Sequence, residues 1–197
     1  MTNLELGTLF STYGSVAFLS YVFGGVLADK FSPRKLLAYS LMLTSLGGFF
    51  MMSYPSYFTM QLIYAYWGFT TVFLFWAPMI KATSIIGGLK KQGKTFSFLD
   101  AGRGIVASSI GIIGVLIFSF VVVGDISDST LQEKQDAFSY VIGASSLIVF
   151  ITGVIVYNFL NIQIDSEAKI GDFRDMKKLM KSKSVILIGL IILTAYM

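Results

Sequence analysis

Charged residues are absent from five stretches of the chain, and these stretches alternate with short charged segments. The uncharged stretches are Leu6–Ala28, Leu36–Ile80, Gly104–Gly124, Ala137–Ile164 and Ser184–Met197. Apolar runs of about 18 or more residues are typical of membrane-spanning helices. The pattern therefore predicts an all-α integral membrane protein.

The same pattern predicts five full membrane spans and an incomplete sixth. The full spans are expected at about Gly7–Ala28, Leu36–Ser53, Phe58–Ile86, Phe96–Gly124 and Ala137–Leu160. Pro55 marks the turn between the second and third, because proline fixes its own φ and biases Tyr54 away from helix. The sixth begins at Ser184 and gives only about 21 Å of helix, against a hydrocarbon core of about 30 Å.

Three regions follow from these spans. Residues 1–160 are expected to form a transmembrane bundle, residues 161–183 a cytosolic linker, and residues 184–197 the start of the next transmembrane helix. Because the last helix is too short to cross, we expect a truncated chain. Within the linker, Ile170, Phe173, Met176 and Met180 recur at helical spacing among basic residues, which favours an amphipathic helix on the membrane surface over a solvated linker.

Composition changes the picture mainly by excluding chemistry. Hydrophobic residues make up 55% of the chain and charged residues 13%, against about 25% charged residues in soluble domains. The chain has no cysteine and no histidine, so it cannot build a Ser-His or Cys-His catalytic site or a zinc site that contains histidine. We expect no cofactor, no metal and no enzyme activity.

The basic residues predict the orientation in the membrane. Of the 15 Lys and Arg residues, 12 lie in the segments after spans one, three and five. The segment after span four carries Lys134 alone among several acidic residues. Basic loops are retained in the cytosol, so the odd-numbered spans are expected to end there. The net charge of +4 then reflects topology, and no nucleic-acid partner is implied.

The first cytosolic segment carries a motif, GVLADKFSPRK, at residues 25–35. It resembles the signature loop between the second and third helices of the major facilitator superfamily, with Ser32 where that family usually has glycine. The matching residues are Gly25, Asp29, Lys30, Arg34 and Lys35. The resemblance implies that the first span corresponds to the family's second helix, and that the chain covers helices two to six and the start of helix seven.

The residue types of the motif fit such a role. Gly25 would let another helix approach closely, and Asp29 would meet a helix N-terminus or a basic side chain. In the family this loop braces the two halves of the transporter when it faces outward. The alternative is that Lys30, Arg34 and Lys35 serve only to fix the topology.

Three ionisable residues, Lys81, Asp100 and Arg103, are expected inside spans at a similar depth near the cytosolic mouth. Ionisable residues inside a membrane are functional candidates, and Asp100 can pair with Arg103 three residues later. We predict a gate charge cluster of these three residues. The alternative is that Lys81 and Arg103 extend to the interface, with Asp100 structural.

The third span carries a polar line that recurs at helical spacing. Its cavity-lining candidates are Gln61, Tyr64, Trp67 and Thr71. Within the superfamily, drug/proton antiporters have a buried arginine at the position of Tyr64 and a proline in the fourth span, and both are absent here. The stretch FWAPMIKA and the following KKQGKTFSFLDAGRG are more similar to the sugar-phosphate and organic-anion branch.

The resemblance implies a secondary active transporter of a small solute, an organic anion or a sugar derivative, that works by alternating access in the bacterial plasma membrane. Its expected partners are the substrate, a coupling ion, the lipid bilayer and the remainder of the transporter. The alternative is a complete six-helix membrane protein that serves as the substrate-binding component of a larger uptake complex. A membrane enzyme would need a carboxylate or lysine site that the sequence does not reveal.

Overall fold

The computed structural model describes residues 2–122, 129–162, 182, 183 and 187. One compact unit comprises Met1–Ile164 and the other Asp165–Met197, so nearly all described residues belong to the first. The described part of this first unit is helical and contains no strand. The expected amphipathic linker helix lies outside the described residues, as does the incomplete sixth span apart from Leu187.

Five helices make up the described part of the first unit. They are α1 (Asn3–Lys30), α2 (Pro33–Met51), α3 (Tyr57–Gly88), α4 (Lys90–Val121) and α5 (Leu131–Phe159). In α3, the α-helix Tyr57–Gly68 continues as a π-helix over Phe69–Trp76 and returns to α-helix at Ala77. Helix α1 bends by 52° between Tyr21 and Phe23.

Two helices begin before the apolar run that predicts them, because each has a capping box. The Thr2 hydroxyl accepts from the Glu5 backbone N–H, and the Glu5 side chain accepts from the Thr2 backbone N–H. Thr130 and Glu133 repeat this arrangement at the start of α5. Such reciprocal bonds satisfy two of the N–H groups that a helix start leaves free.

The connection between α3 and α4 is tighter than the loop of several residues expected between Ile86 and Phe96. The helix breaks at Gly88 (φ 52°, ψ −171°) and at Lys91 (φ −125°, ψ 15°), and helical geometry continues on both sides. A positive φ is accessible to glycine because it has no Cβ. The predicted loop is therefore wrong in length: Gly88 breaks the helix, and Lys90, Lys91 and Lys94 fall within the bounds of α4, with non-helical backbone angles at Lys91.

Helices α2 and α5 run antiparallel, as the alternation of successive spans expected from the loop charges requires. Met52 near the end of α2 accepts a hydrogen bond from Ser139 near the start of α5, and Arg34 at the start of α2 lies over the Tyr157 ring at the end of α5. The α2–α5 contact is the most extensive in the bundle. The two helices approach closely at Gly153, where an added Cβ would lie only 3.1 Å from the Ala38 carbonyl oxygen.

This alternation brings most basic residues of the described part together. The ends of α1, α3 and α5 and the starts of α2 and α4 meet at one end of the bundle, which we call the basic end. It carries Lys30, Arg34, Lys35, Lys90, Lys91 and Lys94. This placement agrees with the alternation expected from the loop charges.

By length and apolar composition, three described helices qualify as membrane spans: α3, α4 and α5. The two parts of α1 add a fourth if they count as one span. Helix α2 is not among them; its 19 residues include Arg34 and Lys35, and they extend roughly 28 Å at 1.5 Å per residue. That length is close to the hydrocarbon thickness of about 30 Å.

Candidate functional site at the basic end

Lys81 joins the end of α1 to α3. Its Nζ lies 3.7 Å from Asp29 Oδ1, and it donates hydrogen bonds to the carbonyl oxygens of Ala28 at 2.7 Å and Asp29 at 3.3 Å. The last carbonyls of a helix have no partner within the helix. A cation placed there also interacts favourably with the negative end of the helix dipole. Lys81 therefore acts as a side-chain cap for α1 as well as an ion-pair partner.

Arg103 makes a second ion pair within α4. Its Nη1 lies 3.2 Å from Asp100 Oδ1, and its guanidinium carbon lies 4.9 Å from the centre of the Trp76 ring on α3. The pair itself is largely exposed, where such pairs contribute little to stability. The cation–π contact adds a link between α3 and α4.

The structure thus brings the three predicted gate residues to the same end of the bundle in two separate pairs. Among the described residues, the salt bridges are Lys81–Asp29 and Asp100–Arg103, and none joins Lys81 to Asp100. Asp29, from the loop motif, takes the position next to Lys81. The function of the three residues at a gate stays a prediction.

Apolar packing lies next to the Asp100–Arg103 pair. Leu37, Met79 and Ala82 form a buried cluster that includes positions from α2 and α3. Partly buried side chains surround it, among them Trp76 and Leu99. Because Trp76 contacts this cluster and also faces Arg103, the charged groups rest on a packed apolar layer.

The loop motif is arranged differently from the expectation in one respect. A Cβ at Gly25 would meet nothing within 4 Å, whereas a Cβ at Gly24 would lie 3.2 Å from the Phe73 carbonyl oxygen. Within the described bundle, the close helix contact of this segment is therefore at Gly24, and a close contact of another helix at Gly25 stays a prediction. Asp29, Lys30 and Lys35 are exposed, Arg34 is half-buried, and Ser32 is the N-cap of α2.

The polar line of α3 packs against its neighbours. Gln61 donates to the Thr12 hydroxyl on α1 at 3.2 Å, and Trp67 Nε1 donates to the Thr44 carbonyl oxygen on α2 at 3.0 Å. The Thr71 hydroxyl lies 3.1 Å from that of Tyr13 on α1. Tyr64 packs edge-on against the Phe10 ring, and its ring also lies 5.5 Å from that of Trp67. All four candidates are half-buried, and their role in lining a cavity stays a prediction.

Sequence reasoning missed the polar contacts around the π-helix. Thr70 is fully buried; its hydroxyl accepts from Thr44, and its carbonyl oxygen accepts from the Ser40 hydroxyl at 2.8 Å. π-Helical segments are rare, and those that occur are often found at functional sites. The available signal was the spacing of Ser40 and Thr44, four residues apart on α2, opposite the Thr70–Thr71 pair.

Comparison with known proteins agrees with the helical architecture. The chain is 25% identical over its full length to the inner membrane protein YihN of Escherichia coli, of which it covers 46%. It is 35% identical over 60% of its length to the inner membrane protein YqcE of the same organism, of which it covers 28%. An uncharacterized Mycoplasma pneumoniae protein, the MG294 homolog, is 26% identical over 77% of the chain, and the match covers 34% of that protein.

The chain thus spans less than half the length of these curated relatives, and no solved structure matches it. The family profile of the Major Facilitator Superfamily matches residues 1–197. The profile match, the inner-membrane relatives and the apolar helices support a multi-pass protein of the bacterial plasma membrane, and point to transport rather than catalysis. The chain belongs to the major facilitator superfamily of membrane transporters.

Proposed function

We propose that the protein containing this chain is a secondary active transporter that moves a small solute by alternating access. The proposal rests on the family membership and, as its main structural support, on the contact of Lys81 with Asp29 and with the end of α1. This contact ties two helices together at the basic end. A contact that is made in one transport state and loosened in another would favour one side of the cycle.

The proposed substrate class is an organic anion or a sugar derivative. Arg103 supports this class, because it places a guanidinium beside the Trp76 ring, and guanidinium groups bind carboxylate and phosphate through paired hydrogen bonds. The ring would keep the guanidinium oriented while Asp100 is exchanged for a substrate anion. The coupling ion and the remaining part of the transporter belong to the same proposal.

Uptake into proteoliposomes tests this function. The protein is reconstituted as the cell makes it, and the uptake of radiolabelled sugar phosphates and sugar acids is compared with that of the corresponding neutral sugars. We expect uptake of at least one anionic solute, and a lower rate in the Asp29→Asn variant at equal membrane abundance. Normal transport by Asp29→Asn would contradict the role of the Lys81 contact, and uptake of neutral sugars alone would contradict the substrate class.

A further inference from the structure

Arg34 is a residue of the basic end on which the proposed transport function does not rely. Its guanidinium carbon lies 5.9 Å from the centre of the Tyr157 ring, so the side chain reaches from the start of α2 to the end of α5. Within residues 2–122 and 129–162, Arg34 forms neither a salt bridge nor a side-chain hydrogen bond. A guanidinium has five N–H donors in a planar fork that suits phosphate.

The Tyr157 ring beside this guanidinium has a second phenol ring, that of Tyr39, as its neighbour. The rings of Tyr39 and Tyr157 are 6.0 Å apart, and the residues are 49% and 38% exposed. In the same described ranges, neither hydroxyl has a hydrogen-bond partner. Arg34, Tyr39 and Tyr157 therefore present a guanidinium and two hydroxyl donors on one exposed patch, which we call the Arg-Tyr patch.

The surroundings of the Arg-Tyr patch indicate where its ligand comes from. Tyr39, Leu46 and Phe50 fall on one stripe of α2, at spacings of seven and four residues, and all three are exposed. On α5, Ile151 and Val154 before Tyr157 are exposed as well. An apolar surface that begins at a basic and aromatic patch matches the profile of a phospholipid, with its headgroup at the membrane interface and its acyl chains below.

We propose that the Arg-Tyr patch is a binding site for the headgroup of one anionic phospholipid at the cytosolic side of the α2–α5 contact. The Arg34 guanidinium binds the phosphate, held in place by the Tyr157 ring, and the hydroxyls of Tyr39 and Tyr157 donate to the remaining headgroup oxygens. Because Arg34 and Tyr39 lie on α2 and Tyr157 lies on α5, the bound lipid would bridge and stabilise this pair of helices, which share the most extensive contact of the bundle. Such a site is independent of the transported solute.

Native mass spectrometry of the protein as the cell makes it tests the site, with phosphatidylglycerol as the anionic probe and phosphatidylcholine as the zwitterionic one. We expect one phosphatidylglycerol to bind more tightly than phosphatidylcholine. Arg34→Gln should weaken this binding about tenfold, which corresponds to about 1.4 kcal/mol, because it removes the charge-assisted hydrogen bonds to the phosphate. Tyr157→Phe keeps the aromatic ring but removes the hydroxyl, so it should weaken lipid binding by a smaller factor. This variant tests the site if Arg34→Gln fails to fold.

Lys94→Gln is the matched control. Lys94 also belongs to the basic end, and its Nζ also lies 5.9 Å from an aromatic ring, that of Phe98, but phenylalanine offers no hydroxyl. Equal weakening by Lys94→Gln and Arg34→Gln would reduce the effect to general surface charge and overturn the proposal. Equal affinity for both lipids would overturn it too, as would displacement of the lipid by equimolar glycerol phosphate, which would indicate a soluble anion as the ligand.

Discussion

Lys81 holds Asp29 and the backbone in front of it at the same time: its Nζ lies 3.7 Å from the Asp29 carboxylate and 2.7 Å from the Ala28 carbonyl oxygen. The Asp29 side chain is twice as exposed as that of Lys81, at 44% against 22%. The two partners therefore contribute unequally. Asp29 provides a partly screened charge, whereas Lys81 also supplies the hydrogen bonds that end α1.

This asymmetry predicts different losses of stability for the two single variants. We expect Lys81→Met to lower the free energy of unfolding by about 1–2 kcal/mol, because it removes a charge-assisted cap. We expect Asp29→Asn to cost less than about 1 kcal/mol, because it removes one partly exposed ion pair. Thermal unfolding in detergent micelles measures both, with Lys94→Met as the control for the loss of an exposed lysine. A larger loss in Asp29→Asn would contradict the capping role.

Double-mutant cycles distinguish two ion pairs from one three-residue network. We expect coupling of about 0.2–1 kcal/mol between Asp100→Asn and Arg103→Met, as for other exposed pairs. Lys81→Met and Asp29→Asn should also couple. Lys81→Met and Asp100→Asn should add within about 0.3–0.5 kcal/mol, since no salt bridge joins them. Strong coupling in this last cycle would restore the single gate cluster expected from the sequence.

The apolar runs predicted the helices well because a membrane span needs a minimum length of uncharged residues. They were a poorer guide to where the helices begin and end. Thr2 with Glu5 and Thr130 with Glu133 extend α1 and α5 by capping boxes, whose Thr-x-x-Glu spacing is visible in the sequence. A prediction from hydropathy alone overlooks it.

Pairing across helices was harder to predict, because it depends on rotation about each helix axis. Counting residues placed Lys81, Asp100 and Arg103 at similar depth, but depth does not decide whether Lys81 faces α1 or α4. The same uncertainty explains why the sequence alone did not show which of Gly24 and Gly25 contacts the neighbouring helix, since the two positions differ by about 100° around the helix axis. Only the packing of α1 against Phe73 identifies the glycine in close contact.

The orientation of the bundle is testable by cysteine labelling, because the natural chain has no cysteine. We expect a membrane-impermeant maleimide added to intact cells to label Ser129→Cys, in the segment that connects α4 with α5. It should miss Gly93→Cys near the start of α4 until the membrane is permeabilised. The physical reason is the retention of basic segments in the cytosol. Labelling of Gly93→Cys but not of Ser129→Cys in intact cells would indicate the opposite orientation and contradict the prediction.

Gly24 and Gly25 offer a matched pair of substitutions for the packing of α1 against α3. Both lie in α1, so replacement by alanine raises helix propensity by a similar amount, about 1 kcal/mol at an exposed position. At Gly25 the new Cβ meets open space, whereas at Gly24 it lies 3.2 Å from the Phe73 carbonyl oxygen and 3.5 Å from its Cα. Backbone atoms of a packed helix yield little, and overpacking costs about 1–3 kcal/mol.

We therefore expect Gly25→Ala to be neutral or stabilising and Gly24→Ala to be less stable by about 1–2 kcal/mol than its neighbour. Thermal unfolding of the two variants under identical detergent conditions measures the difference, and the shared helix removes most effects of the unfolded state. Gly24→Leu should enlarge the loss, because a longer side chain cannot be accommodated against the α3 backbone. Equal stability of the two alanine variants would mean that α1 does not pack on Phe73, and the position of Lys81 over the end of α1 would then need another support.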